Sequence, residues 1–404
     1  MKILEVNKFY YPRRGAERHF LDVIELLKRR GHEVAVFAMR HPKNIQSSFA
    51  TYFPSTVGYN AYDATLWQKI KGAGRLFWSF EAAKKMTALL DAWRPDVAHV
   101  HNIYHQLSPS LLPPIKARGI PIIMTVHDYN LVSPDKDVYY PTVGKSYWKF
   151  LFIRKYGLMK RILLVTKMYW QNGFRLYERY IDRYVVPSRF VRDVFISAGV
   201  PQEKLLVVPH FIEETVMDES LCHGEEIPKQ AFALYLGSLS QEKSTDVLAR
   251  MFDELRIPLV VAGSAEDNFT LLESSFVIPV GLRSKAEVQE LIRSASCVVS
   301  ASPLPETFGL IALEAISFGK PFFGLRSGAF AELIENGKNG YLAQNIHTLR
   351  EYVADYFSGK HYFSAQDIEK NAHERFGAIR YAETFEHLCR TLIDVKATQL
   401  ITRA

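Results

Sequence analysis

The sequence contains little cysteine and no long apolar run. Its 404 residues include three cysteines, Cys222, Cys297 and Cys389. Because they are odd in number and widely spaced, they exclude a disulfide framework or a cysteine metal cluster and favour a reducing compartment. No uncharged apolar stretch reaches about 18 residues, so we expect no transmembrane helix. The start of the chain, MKILEVNKFYY, is typical of a first β-strand rather than a signal peptide.

Positive charge is abundant but uneven along the chain. The formal net charge is +7. Residues 145–183, which we call the basic-aromatic segment, hold ten basic residues against Glu178 and Asp182, together with ten aromatic residues. Such a mixture on helical segments favours an anionic membrane surface or a polyanion. The alternative is that the aromatic side chains pack inward and the basic ones only solvate the outside.

Short apolar runs alternate with amphipathic segments along the whole chain. The first half carries KILEVN, EVAVFAM, DVAHVH and PIIMTVHD, and its first helical segment carries Phe20, Val23, Ile24 and Leu27 at helical spacing. After the basic-aromatic segment the runs are RYVVPS, KLLVVPH, FALYLGS, PLVVAGS, SFVIPVG, CVVSAS and KPFFGL. Strands separated by helices predict parallel βαβ units. We therefore predict an α/β protein with two doubly wound halves joined near residues 185–210.

Ligands of open parallel sheets bind at the carboxyl ends of the strands. Four polar or glycine sites follow predicted strands: Gly15, His127 with Asp128, Gly237 with Ser238, and Glu306. Two such sheets facing each other would place these residues around one cleft.

The stretch PETFGLIALEA, residues 305–315, is nearly all apolar yet carries Glu306 and Glu314. A lone glutamate usually lies on a solvated helix face, but a helix that is apolar all round is normally buried, and a buried carboxylate needs a partner. Eight residues of helix would separate the two groups by on the order of 12 Å. Between them, a helix N-terminus that favours phosphate would be formed by the amides of Thr307, Phe308, Gly309 and Leu310. The arrangement suits a nucleotide sugar.

On these motifs the chain resembles the retaining glycosyltransferases of family four, which have the GT-B fold. PLPETFGLIALEAISFGKPFFG is similar to their Glu-x7-Glu signature, and the supporting motifs in family order are GAERHFLDVIELLKRRGHEV, PDVAHVHN, TVHDYNLVSP, VVPSRFVRDVF, LGSLSQEK and SGAFAELIENGKNGYL. The resemblance spans nearly the whole chain. It implies two Rossmann-like doubly wound domains facing a central cleft. Residues 1–186 would bind the acceptor and 187–374 the nucleotide sugar, and a helix over 375–404 would pack back on the first domain.

The resemblance also implies roles for individual residues. Glu306 would bind hydroxyls of the donor sugar near the reacting carbon, and Glu314 would hold the ribose hydroxyls. Lys243 would neutralise the diphosphate and stabilise the leaving group without a metal. His127, although a lone histidine after a strand is more often structural, would lie near the donor sugar and the attacking hydroxyl. Gly15 would allow the first loop to approach the donor or acceptor closely. The remaining donor-binding residues would be Gly237, Ser238, Thr307, Phe308, Gly309 and Leu310.

The sequence departs from the family pattern in three places. Ser238 stands where members commonly carry an arginine, the second cation on the diphosphate. Two glycine pairs are reduced, one to Arg14 and Gly15, the other to Ser327 and Gly328. A serine donates one hydrogen bond but supplies no charge, so either binding is weaker or another cation replaces the arginine. The candidate cations are Arg14, Arg283 and Arg326.

The resemblance implies a retaining, metal-independent hexosyltransferase without a cofactor. It would move a sugar from a UDP- or GDP-linked donor to a glycan or lipid-linked acceptor in surface polysaccharide or glycolipid synthesis. We expect a cytoplasmic protein, peripherally associated with the inner face of the cell membrane through residues 145–183. One alternative is a catalytically weak GT-B protein that binds nucleotide sugar or partner enzymes, as Ser238 suggests. A nucleic-acid-binding protein is a second, supported only by the basic-aromatic segment, and we expect no nucleic-acid partner.

Overall fold

The structure is a computed structural model that describes residues 1–56, 72, 74–104, 107–212, 228, 230–266 and 269–401. Cys222 therefore lies outside the described residues. The chain divides into two compact units. Unit 1 comprises Met1–Pro209 and Ile379–Ala404, and unit 2 comprises His210–Ala378.

Twelve α-helices lie wholly within the described residues. They are α1 Gly15–Arg29, α2 Phe80–Ala92, α3 Leu112–Ala117, α4 Leu158–Gly173, α5 Arg189–Ser197, α6 Thr245–Leu255, α7 Lys285–Ser294, α8 Leu310–Ser317, α9 Phe330–Leu333, α10 Ile346–Phe357, α11 Ala365–Phe376 and α12 Ala378–Ile401. None of those described combines the length and apolar character that a bilayer crossing needs.

Unit 1 is built on a parallel sheet of six described strands. They are β1 Lys2–Val6, β2 Glu33–Phe37, β3 Val97–Val100, β4 Ile122–Thr125, β5 Arg183–Val186 and β6 Leu205–Val207, in the spatial order β2-β1-β3-β4-β5-β6. The helix predicted from Phe20, Val23, Ile24 and Leu27 is α1, and all four side chains are buried. Its first turn carries the negative charge of Glu17, and its last turn carries the positive charges of Lys28 and Arg29. The helix dipole is stabilised by charges in these positions.

Unit 2 is built on a second parallel sheet of six described strands. They are β7 Ala233–Leu236, β8 Leu259–Ala262, β9 Val277–Gly281, β10 Cys297–Ser300, β11 Phe322–Leu325 and β12 Gly340–Ala343, in the order β12-β11-β10-β7-β8-β9. Alternate residues of β7 enter two separate apolar cores, Leu234 and Leu236 on one face and Ala233 and Tyr235 on the other. Helices therefore cover both faces, which explains why these strands are apolar at successive positions.

The runs RYVVPS and KLLVVPH form β5 and β6 of the first sheet. KLLVVPH falls in the predicted second domain, 187–374, and that placement was wrong, because β6 pairs with β5 and β5 with β4. The units accordingly change over at Pro209 and His210, whereas the predicted boundary lay at 186–187. The helix that returns to unit 1 is α12, whose Glu386 accepts hydrogen bonds from Arg30 at 2.9 and 3.1 Å.

Candidate functional site

Lys243 and Glu306 lie at the point in unit 2 where the strand order reverses. Strands β7 and β10 are neighbours in space, with β8 and β9 on one side of the pair and β11 and β12 on the other. Lys243 follows β7 and Glu306 follows β10. A reversal of this kind leaves a crevice at the carboxyl ends of the two strands, where ligands of open α/β sheets bind.

The two side chains meet there as an ion pair. The Nζ of Lys243 donates to Oε1 of Glu306, and the side chains are 30% and 25% exposed, respectively. Lys243 is held by the turn before α6, where its amide donates to the hydroxyl of Ser240 at 3.3 Å. The pair is thus preformed and reachable by a ligand.

The loop that carries Glu306 is fixed by residues 327–329. The amide of Ala329 donates to the carbonyl of Glu306 at 2.9 Å, and the hydroxyl of Ser327 donates to the carbonyls of Pro303 and Leu304 at 3.0 and 2.7 Å. Gly328 has φ +59°, and a Cβ there would come within 2.2 Å of the Glu306 carbonyl oxygen. The serine and the glycine therefore both position Glu306, a role that the sequence analysis did not assign to them.

Helix α8 begins at Leu310, with Gly309 preceding it at φ +97°. A Cβ on Gly309 would meet the ring of Phe330 at 2.6 Å. The predicted helix N-terminus at Thr307–Leu310 was thus wrong by about one turn, because the backbone first takes a left-handed conformation. The amides at the start of the helix belong to Leu310 and Ile311.

Glu314 lies on a half-buried face of α8. The prediction of a helix buried all round was wrong, since Leu310, Ile311 and Glu314 are partly exposed while the next residues on the opposite face are buried. Phe308, by contrast, is buried and packs edge-on against His210 and Phe376. Its side chain belongs to the core, so only its backbone could contact a phosphate.

Gly237 and Ser238 lie in a tightly packed loop after β7. A Cβ on Gly263, which follows β8, would fall 1.7 Å from the carbonyl oxygen of Gly237. The hydroxyl of Tyr235 donates to the carbonyl of Ser238 at 2.8 Å, and the Ser238 side chain is half-buried. The backbone here is fixed, and the Ser238 side chain is partly accessible.

The arginines considered as substitutes for the missing cation have different environments. In unit 2, Nη1 of Arg283 donates to Glu287 at 3.2 Å, and Arg326 is exposed directly after β11. In unit 1, Arg14 is exposed and precedes α1, which begins at Gly15. We keep all three as candidates.

His127 follows β4 in unit 1, and its Nε2 lies 2.8 Å from Nδ1 of His101. His101 in turn contacts the buried carboxylate of Glu5, which also binds His99. The sequence analysis missed Glu5, His99 and His101. An acidic residue inside an apolar strand and a His-x-His pair in another strand were the available signals.

Close to His127, a second polar network involves a buried lysine. The Nζ of Lys167 donates to Oδ1 of Asn130 at 3.2 Å. The backbone N–H and the side-chain amide of Asn130 each donate to the carboxylate of Asp128 at 3.0 Å. Burial lowers the pKa of Lys167 to about 8 and raises the pKa of Asp128. Lys167 is therefore not part of a solvated basic surface.

The basic-aromatic segment divides between core and surface. Tyr147, Phe150 and Tyr177 are buried, as the inward-packing alternative predicts. The exposed large apolar side chains are Trp148, Phe152, Leu158, Met159, Ile162, Tyr169, Trp170 and Phe174. The exposed basic residues are Lys145, Lys149, Arg154, Lys160, Arg175 and Arg179. The surface of α4 and its flanks is therefore both apolar and cationic.

Two family models match consecutive parts of the chain. The model described as Glycosyltransferase Family 4 matches residues 13–216, and that described as Glycosyl transferases group 1 matches residues 223–375. Together they cover most of both units.

Among named relatives, a sulfoquinovosyl transferase of Arabidopsis thaliana is 23% identical over 357 residues, which is 84% of this chain and 62% of that protein. A lipopolysaccharide 1,2-N-acetylglucosaminetransferase of Salmonella typhimurium is 27% identical over 181 residues, 39% of this chain and 47% of that protein. The matches thus span less than two thirds of either relative.

Solved structures share the fold at low identity. Sucrose-phosphate synthase of Thermosynechococcus elongatus superposes with a TM-score of 0.69 at 16% identity, covering 98% of this chain and 99% of that one. The Anabaena protein HepE in complex with UDP and glucose gives 0.62 at 17% identity, covering 97% and 100%. The two sheets described above therefore form two Rossmann-like domains of the GT-B type.

Proposed function

The chain belongs to glycosyltransferase family 4, and on that premise we propose that it transfers a sugar from a nucleotide-sugar donor with retention at the anomeric carbon. The observation that carries the proposal is the Lys243–Glu306 ion pair at the strand-order reversal of unit 2. In this account unit 2 binds the donor, and unit 1 contributes His127 to the acceptor side of the reaction.

The ion pair gives a physical route to donor binding. Without donor, Lys243 and Glu306 satisfy each other's charge. An arriving diphosphate offers Lys243 a stronger partner, because it carries more negative charge than one carboxylate. Glu306 is then released to accept hydrogen bonds from sugar hydroxyls. Glu314 is half-buried and lies one turn after the first residue of α8, Leu310. It is the proposed partner of the ribose hydroxyls.

Departure of the nucleotide requires positive charge near the diphosphate. Lys243 supplies a full charge, and the N-terminus of α8 supplies a partial one through the amides of Leu310 and Ile311. Preorganised groups of this kind stabilise a leaving group as its charge develops. We propose that these groups act without a divalent metal, so turnover should persist in excess EDTA.

A thermal-shift screen tests donor binding. UDP-, GDP- and ADP-sugars are each added to the purified chain beside free sugars and UMP. A ligand that binds only the folded state must raise its stability, by about 2.7 kcal/mol at 100 times the dissociation constant. We expect one nucleotide-sugar class to raise the melting temperature more than its sugar or nucleotide alone. No shift with any nucleotide sugar would contradict the proposal.

For the acceptor, we propose a glycan or a lipid-linked sugar at an anionic membrane surface. The apolar and cationic surface of the basic-aromatic segment supports a peripheral membrane contact. One relative is named for lipopolysaccharide, which suggests a surface glycan as acceptor. The proposed location is the inner face of the cell membrane.

A catalytically weak, donor-binding protein is the second candidate, favoured by Ser238. Unless another residue takes the place of the missing arginine, the leaving group receives less positive charge. Donor binding and donor hydrolysis measured on the same sample separate the two. Tight binding with no hydrolysis and no transfer would favour the binding protein.

A further inference from the structure

A continuous hydrogen-bonded chain runs through the buried interior of unit 1 to His127. Oε1 of Glu5 lies 2.9 Å from Nδ1 of His99, and Oε2 of Glu5 lies 3.1 Å from Nε2 of His101. Nδ1 of His101 lies 2.8 Å from Nε2 of His127. Glu5, His99 and His101 are completely buried, whereas His127 is partly exposed. The chain thus connects a buried carboxylate to an accessible imidazole.

Strand geometry brings these groups together. Glu5 on β1 is the register partner of His99 on β3. His101 follows two positions later, so its side chain lies on the same face as that of His99. Aromatic rings enclose the cluster. The ring centroid of Phe20 on α1 lies 5.0 Å from that of His101, and the ring centroid of Phe385 on α12 lies 4.6 Å from that of His99. A carboxylate in such an enclosure must be held by hydrogen-bond donors.

The positions of the protons follow from the carboxylate. Burial raises the pKa of Glu5, whereas the hydrogen bond and the charge of His101 lower it. We infer that Glu5 is ionised, and an ionised carboxylate only accepts, so it requires N–H groups at His99 Nδ1 and His101 Nε2. His99 then accepts from the hydroxyl of Thr125 through Nε2, at 2.7 Å. Burial lowers the pKa of His99 to about 3, which keeps that ring neutral. A neutral His101 has its lone pair on Nδ1, and the group facing it, Nε2 of His127, must donate.

We propose that Glu5 and His101 are positioning residues that hold His127 in one orientation and in one tautomer, protonated on Nε2. Nδ1 of His127 is then the accepting nitrogen of that ring. For the proposed transfer, on which the catalytic meaning of this inference rests, His127 would accept a hydrogen bond from a substrate hydroxyl. A buried carboxylate acting through a histidine is a common way to fix the tautomer of a functional imidazole.

The same three residues could be considered as metal ligands, since their ligand atoms lie within 4.8 Å of one another. The hydrogen bonds argue for the positioning role instead. Both oxygens of Glu5 and both nitrogens of His99 and of His101 already have a partner. An ion would have to displace protons from His99 Nδ1 and His101 Nε2, the two groups that satisfy the buried carboxylate.

The experiment reads the tautomer directly, by long-range ¹H–¹⁵N NMR on protein labelled in its histidines. His127→Gln identifies the signals of that ring by their loss. We expect a single neutral tautomer for His127 with the proton on Nε2, and the same for His101. A proton on Nδ1 of His127 in the wild type, or a doubly protonated His101, would overturn the proposal. So would a stoichiometric metal in protein purified without chelator.

Two variants separate positioning from simple stabilisation. His101→Phe keeps a ring in place but removes the acceptor, so His127 should show exchange between tautomers. Thr125→Val removes a buried hydrogen bond to His99 and leaves the contact with His127 intact, so it should lose stability without changing the His127 signals. Equal His127 spectra in His101→Phe and the wild type would contradict the proposal.

Kinetics then link the tautomer to the reaction. His101→Phe should lower kcat at least tenfold while leaving the donor-induced thermal shift unchanged, because Lys243 and Glu306, which carry the proposed donor binding, belong to unit 2. If no donor supports turnover, the proposed function fails, but the NMR result still decides whether the chain positions His127. If His101→Phe shows tautomer exchange at His127 but a normal kcat, the fixed tautomer of His127 has no role in the transfer reaction.

Discussion

Lys243 and Glu306 form an ion pair although 63 positions separate them in the sequence. They meet because β7 and β10 are neighbours at the reversal of strand order in unit 2. Each residue is presented by a loop at the carboxyl end of its strand. The pair is therefore a product of sheet topology rather than of local sequence.

Glu306→Gln should abolish most of the transfer activity while the fold remains intact. The amide keeps the shape of the side chain but removes its charge, and each charge-assisted hydrogen bond is worth about 1.5–3 kcal/mol. The rate should fall at least about tenfold. The melting temperature checks the fold, and Glu254→Gln, an exposed glutamate paired with Arg350, is the control. Wild-type turnover in Glu306→Gln would exclude Glu306 from the site.

Gly328→Ala should weaken donor binding in addition to the loss of stability that its positive φ causes. Any alanine with positive φ costs about 1–2 kcal/mol, but a Cβ at Gly328 would also press on the backbone of Glu306. Gly359→Ala is the matched control, since Gly359 has φ +82° and nothing within 4 Å of its Cβ position. Both variants should lose stability, and only Gly328→Ala should lose donor binding. Equal donor affinities would contradict this role of Gly328.

Ser238→Arg should strengthen donor binding and raise turnover if the diphosphate lacks a second cation. A bidentate arginine–phosphate contact adds two charge-assisted hydrogen bonds. If Arg14, Arg283 or Arg326 already fills this role, the added charge should bring no gain, and one of the three alanine variants should lose affinity. Donor titration of all four variants distinguishes the cases. No effect in any of them would mean that the leaving group is stabilised in another way.

The double variant Phe152→Ser, Met159→Ser should bind anionic vesicles at least about tenfold more weakly than the wild type. These two side chains are 74% and 77% exposed, and burying an apolar side chain contributes about 1.5–3 kcal/mol. Tyr362→Ser in unit 2, also highly exposed, is the control. Cosedimentation with anionic and neutral vesicles measures the effect. For the wild type, equal binding to anionic and neutral vesicles, or binding insensitive to salt, would refute an electrostatic contribution of the basic residues to membrane binding.

Glu386→Gln should destabilise unit 1 at neutral pH and much less in acid. Hydrogen bonds from Arg30 and His32 lower the pKa of Glu386 to about 2, from 4.5. A carboxylate with a lowered pKa stabilises the fold above its unfolded pKa, and this stabilisation is lost as the pH falls towards 2. Urea unfolding should therefore show the largest gap between variant and wild type above pH 4.5. Glu369→Gln on α11 is the control, and a gap that does not narrow in acid would contradict the assignment.

The sequence predicted the α/β class and the buried face of α1, because strand and helix periodicities are local properties. It could not give the strand order, which depends on long-range pairing. For that reason KLLVVPH was placed in the wrong domain. The sequence also did not show that Gly309 takes a left-handed conformation, so α8 begins at Leu310, after the predicted start.

Among candidate site residues, sequence reasoning selected Lys243 and Glu306 but not their contact. It also noted Ser327 and Gly328 only as departures from a glycine pair, since their packing against the Glu306 loop is visible only in three dimensions. Glu5 was overlooked because a single acidic residue in a strand gives no information about its partner. The pairing of β1 with β3 supplies that partner.

The claim that unit 2 binds the donor beside Lys243 and Glu306 is tested most directly by hydrogen exchange. Mass spectrometry would compare the wild type with and without the nucleotide sugar that gives the largest thermal shift. The account predicts slower amide exchange in peptides covering residues 237–245 and 304–314. Unchanged exchange in both peptides, with slowing confined to other parts of the chain at saturating donor, would contradict it.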